Sequence, residues 1–182
     1  ATARDWPRLK RALRETVASD DALLLGDGRF DQARQGPFRG WTIQSTPGIE
    51  ILVERKPESS DPALRLAFFG RRALIQGLEQ WTLLDPGSYR LSGRARLESL
   101  ETSRGLIWQV LCVPGGTAPL GVSQLFRGTQ DWTEFSVEFT VPDDACGAQR
   151  IQLEVSARIA AEQQTSGVAW FDDMAINPMD AQ

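Results

Sequence analysis

The chain contains no histidine. That removes the commonest general base and the commonest transition-metal ligand, so Ser-His-Asp and Cys-His sites are excluded. Only carboxylate chemistry, or binding without chemistry, remains. Lysine is nearly absent: Lys10 and Lys56 are the only two among 20 cationic residues, and Asn177 is the only asparagine. Such an arginine bias fits a GC-rich bacterial genome. There are two cysteines, Cys112 and Cys146, too few for a disulfide scaffold or a zinc cage. No apolar run approaches the ~20 residues that cross a bilayer, so no membrane span is expected. The net charge of −4 argues against nucleic-acid or anionic-membrane partners, which usually face a basic surface. The first residue is alanine, not methionine. We therefore expect a processed or excised piece, whose want of a signal peptide says nothing about export.

What is there is enough for one sizeable core: 182 residues, 41% apolar and 24% charged, the profile of a globular domain. Residues 4–18 carry the one good helical pattern. Trp6, Leu9, Leu13 and Val17 recur on one face, with Arg4, Arg8, Arg11 and Arg14 on the other. Residues 1–20 are expected to form an N-terminal amphipathic helix that either packs on the domain or ends an upstream helical region, and residues 21–182 a β-sandwich domain.

From Ala22 the period changes to two. Short strands are predicted at 22–25, 40–45, 49–54, 63–69, around Trp81 and Leu83, then at 89–97, 106–113, 135–141, 151–157 and 170–176, with a polar loop over 160–166. Proline and glycine punctuate them, as in Asp85-Pro86-Gly87-Ser88. Nine or ten strands without intervening helices predict an all-β, antiparallel sandwich of the jelly-roll kind.

The closing strand holds an anomaly. Val168, Trp170, Asp172, Met174 and Ile176 share one phase, so a carboxylate occupies an expected core position. Such a group needs a cation or several hydrogen-bond donors.

Five phrases carry a resemblance. They are Leu24-Leu25-Gly26-Asp27-Gly28-Arg29-Phe30-Asp31, Gly40-Trp41, Pro86-Gly87-Ser88-Tyr89-Arg90-Leu91-Ser92, Trp132 to Phe135 with Phe139-Thr140-Val141-Pro142, and Trp170-Phe171-Asp172-Asp173-Met174. In this order, over residues 22–177, the chain resembles the galactose-binding-domain-like jelly rolls. Within them it is similar to the carbohydrate-binding modules of the calcium-containing β-sandwich type. The resemblance implies a non-catalytic module of an exported bacterial protein, periplasmic or extracellular, that binds a polysaccharide or oligosaccharide. The alternative is a structural or protein-interaction domain that meets other envelope proteins in exopolysaccharide assembly. It also implies a structural calcium ion joining Asp27 or Asp31 to Asp172. The opening phrase departs from the family's pattern, which has Asn-Gly-Asp-Phe-Glu. Asp172 bonded to backbone N–H groups, or to an arginine such as Arg29, is the competing arrangement.

Cys112 and Cys146 either pair or are two buried thiols. A bridge between them, contributing roughly 3–4 kcal/mol, would go with an oxidising compartment. Trp81, Trp132 and Trp170 read as core and Trp108 leans that way, which leaves Trp41 as the candidate to stack on a sugar. Arg94, Arg96, Gln109, Gln152, Glu154 and Arg158 lie on outer phases of their strands. If those strands are neighbours, the six make one polar sheet face, either a ligand groove or a solvated surface. An arginine-rich groove would suit acidic polysaccharides. No spacing marks a pair of catalytic carboxylates, and no catalytic residue is expected.

Overall fold

The computed structural model describes residues 8, 11–12, 24–31, 38, 40–114, 118–143 and 146–179. The helix expected over 4–18 falls outside them apart from residues 8, 11 and 12, and the strand over 22–25 is cut in the same way, with Leu24 helical.

The described residues form ten strands: β1 (Thr42–Ile43), β2 (Ile49–Arg55), β3 (Pro62–Arg72), β4 (Leu78–Thr82), β5 (Gly87–Thr102), β6 (Leu106–Val113), β7 (Gly121–Val122), β8 (Gly128–Val141), β9 (Ala148–Val155) and β10 (Gln164–Pro178). They form two antiparallel five-stranded sheets. Sheet A has the order β1-β4-β9-β6-β7 and sheet B the order β2-β3-β10-β5-β8. From β4 to β10 the chain passes repeatedly from one sheet to the other, as in a jelly roll. The polar stretch expected as a loop is a 3-10 turn at Ala160–Gln163 that runs into β10.

Alternation builds the core. Leu64, Leu66 and Phe68 of β3, Leu91, Ala95 and Leu97 of β5, and Phe135, Val137 and Phe139 of β8 are buried against Leu78, Trp108, Val110, Ile151 and Leu153 of sheet A. Phe171 sits at the centre. Its ring meets Trp108 at 5.3 Å, Phe126 at 5.3 Å and Phe135 at 6.3 Å, all edge to face, the arrangement ring quadrupoles favour.

Strand β10 does not keep one phase. Ala169 and Phe171 face the core, and so do Met174 and Ile176. Between them lies a β-bulge, with a register shift between Asp172 and Ala175 and Asp173 at φ 51°. An extra residue on one strand reverses the alternation beyond it. Trp170 and Asp172 are therefore on the outer face of sheet B, not in the core phase read from the sequence.

The opening phrase meets this strand just after the bulge. The Met174 N–H donates to the Gly28 carbonyl at 2.8 Å. A Cβ at Gly28 would lie 1.7 Å from the Met174 oxygen, so only glycine fits.

Candidate functional site

The outer face of sheet A is built from cross-strand pairs. Thr42 faces Glu79, Glu79 faces Gln152, Gln152 faces Gln109, and Gln109 faces Val122. This line crosses all five strands. Trp81, Arg150 and Leu111 form the next row, and Glu154 with Ile107 lies on the other side.

The polar groups of the face hold one another. The Trp81 Nε1–H donates to Glu79 Oε1 at 3.1 Å, and Arg150 reaches Glu79 at 3.7 Å. Burial pushes the Glu154 carboxyl above the usual carboxylate range, and hydrogen bonds from Gln109 and Gln152 draw it part of the way back. Gln109 is itself buried. Trp81 is half-buried. Phe38 meets it edge-on at 6.0 Å, and a small apolar cluster with Leu83, Ala148 and Val113 supports it. The result is a flat ring beside planar amides, a carboxylate and a guanidinium, the groups that recognise a sugar ring and its hydroxyls.

The expected residues divide between two surfaces. Gln109, Gln152 and Glu154 come together on sheet A. Arg94 and Arg96 belong to β5 in sheet B, where Arg96 pairs with Glu58 and Glu98. Strands β5 and β6 are consecutive in sequence but lie in opposite sheets, so the single polar face does not form. Arg158 is exposed beyond the end of β9. Trp41, expected as the stacking residue, is instead 4% exposed, packed against Phe30 at 5.5 Å and Trp108 at 5.4 Å, and cannot stack on a ligand. Trp132, read as core, is half-buried on the outer face of sheet B between Lys56 and Arg94.

Trp81, Glu79 and Arg150 were missed. The inner positions of β4 are Leu78, Gln80 and Thr82, so polarity gives no sign of which side is outside. The cross-strand pairing of Trp81 with Arg150 is the signal, and it is not local.

The three aspartates do not fit a calcium ion, which takes six to eight oxygens. The Asp172 carboxylate is buried on the outer face of sheet B, with Oδ2 bonded to Lys56 Nζ and Oδ1 without a hydrogen-bond partner among the described residues, so the cation it meets is Lys56 and not Arg29. Burial raises its pKa above the usual value, and the Lys56 hydrogen bond opposes this. Asp31 is exposed, and the Asp27 carbonyl accepts from Trp41 Nε1. Among the described residues no three carboxylate, thiol or imidazole groups gather as metal ligands. Cys112 and Cys146 are bonded to each other, with Cα atoms 5.2 Å apart.

No protein-family model and no curated protein matches the sequence. Solved structures do. A CBM4 module aligns with a TM-score of 0.56 and 17% identity, over 85% of this chain and 99% of the module. The CBM22-1 xylan-binding domain from Paenibacillus barcinonensis aligns with a TM-score of 0.50 and 14% identity, over 87% of this chain and 99% of that domain. The enzymatically active domain of bacteriophage CBA120 tailspike protein 4 aligns with a TM-score of 0.52 and 12% identity, over 85% of this chain but 21% of the other. At these identities the likeness is one of fold: the chain has the β-sandwich of carbohydrate-binding modules.

Proposed function

We propose that this domain is a non-catalytic carbohydrate-binding module whose ligand lies across the outer face of sheet A. The observation that carries the reading is the Glu79–Gln152–Gln109 row, flanked by Trp81 and by a desolvated Glu154 held by two amides. Trp81 provides the stacking surface. Glu154, Gln109, Gln152 and Arg150 bond to hydroxyls. Two carboxylates against one guanidinium make an acidic polysaccharide a poor ligand, and the site suits a neutral one. The overlap with nearly the whole of a domain described as xylan-binding supports the same class. The disulfide suits an oxidising compartment, and we place the parent protein outside the cytoplasm.

Calorimetric titration with soluble xylan and mixed-linkage β-glucan tests the site. Trp81→Ala and Glu154→Ala should each raise Kd at least tenfold, or ~1.4 kcal/mol, without loss of fold. Unchanged affinity in both variants, or no binding of any neutral glycan on an array, would refute the reading.

A further inference from the structure

The opposite sheet has a trough of its own. On the outer face of sheet B three strands lie side by side in the order β10-β5-β8. One row across them is Asn177, Arg90 and Glu138; the next is Ala175, Ser92 and Ser136; the third is Asp172, Arg94 and Glu134. The middle row holds only small side chains, between two rows of long ones. Positions 90 and 94 are four residues apart, so the walls stand roughly 13 Å apart at the backbone. The trough is open to solvent and offers about 700 Å³, a volume in the ~300–1,000 Å³ range of ligand sites.

The β10 bulge shapes one wall. It places Asp172 and Asp173 on the same face in succession. Asp172 is taken by Lys56. Asp173, at φ 51°, reaches Arg94 at only 3.8 Å, with both side chains more than 40% exposed. Arg94 also lies over the Trp132 ring, its guanidinium carbon 5.7 Å from the ring centre, and this holds it upright. Ser92, Glu134, Ser136 and Asn177 line the same space, and their side chains make no hydrogen bond or ion pair among the described residues.

We propose that this trough is a second, independent saccharide site, taking one uncharged glycan chain laid across β10, β5 and β8. Cations and anions alternate along its walls, so a ligand of either charge meets its own sign. A hydroxyl does not. It donates to Asp173 or Glu134 and accepts from Arg90 or Arg94, and vicinal hydroxyls match the forked geometry of both groups. Two sites on opposite faces would let one module bridge two glycan chains, which raises avidity without new contacts.

Amide-resolved NMR titration with cellohexaose and xylohexaose tests this, with hexagalacturonate as the charged control. Shifts are expected in two separate sets, one at Gln109, Gln152 and Glu154 and one at Ser92, Ser136 and Asn177. Ser136→Trp fills the trough floor at an exposed position, so it should raise Kd for the second set at least tenfold and leave the first unchanged. Shifts in the first set alone overturn the trough and leave the sheet A site standing. Shifts in the second set alone support the trough and remove the sheet A site. A trough that responds only to hexagalacturonate, or to none of the three, overturns the proposal.

Discussion

Gln80 faces the core at 1% exposure, yet neither polar atom of its amide has a hydrogen-bond partner among the described residues. Its neighbour in the same layer is treated differently: the Gln149 Oε1 accepts from the Leu84 N–H at 2.8 Å and from Thr82 Oγ1 at 3.4 Å. An unsatisfied buried amide costs about 1–3 kcal/mol, and an apolar group of the same shape removes that cost. Gln80→Met is therefore expected to stabilise by about 1 kcal/mol, or roughly 2–4 °C in melting temperature. A lower melting temperature would mean that the amide is satisfied, by an internal water for instance. Glu154 gives the opposite kind of residue, one kept at a cost. Its folded pKa is raised by burial, so the folded state binds its proton more tightly than the unfolded state does. Stability then falls as pH rises from about the usual 4.5 through the folded pKa, and stays lower above it. Glu154→Gln should melt higher than the parent at neutral pH, the gap should close below that window, and glycan affinity should drop. A variant that melts lower at pH 7 would contradict the sign.

At the scale of the strand, much was legible in the sequence. Phe135 to Val141 and Tyr89 to Leu97 alternate without interruption, and β8 and β5 cover them. Period-two alternation is the local signature of a half-buried strand, and a local signature needs no knowledge of the partner. Strand β10 shows where this ends. Ala169, Trp170 and Phe171 are all apolar, so neither phase stands out. The bulge at Asp173 leaves no mark beyond an aspartate, one of the few side chains that tolerate φ > 0. The site was half legible for a related reason. Gln109, Gln152 and Glu154 stand out as polar residues on outer phases, whereas their separation from Arg94 and Arg96 depends on which sheet each strand joins. The bulge itself can be tested. Asp173→Val forces a β-branched residue into the left-handed region at about 1–2 kcal/mol, and Asp173→Gly carries no such penalty. Urea unfolding should separate the two variants in that order. Equal midpoints would show that β10 can run without the bulge.

Across the whole molecule, two closures hold the sandwich. One is the seat of Gly28 against Met174 beside the Lys56–Asp172 pair. Since an ammonium neutralises Asp172, EDTA should leave the melting temperature unchanged; a fall that calcium restores would show a metal in that role. The other closure is Cys112–Cys146, residues 34 apart. The bridge ties the end of β6 to the approach to β9, and β7 and β8 lie between. Because β8 belongs to the other sheet, the closed loop passes through both layers. A loop of this length removes enough chain entropy from the unfolded state to stabilise by roughly 3–4 kcal/mol, on the order of 10 °C for a domain of this size. Cys112→Ser with Cys146→Ser, and the parent protein under reductant, should lose the same amount, because in both only the cross-link is removed. Thiol titration of the unreduced, denatured parent should find no free thiol at these two positions. Two reactive thiols, or a melting temperature indifferent to reductant, would show that the sandwich closes without the bridge and would remove the chemical argument for an oxidising compartment.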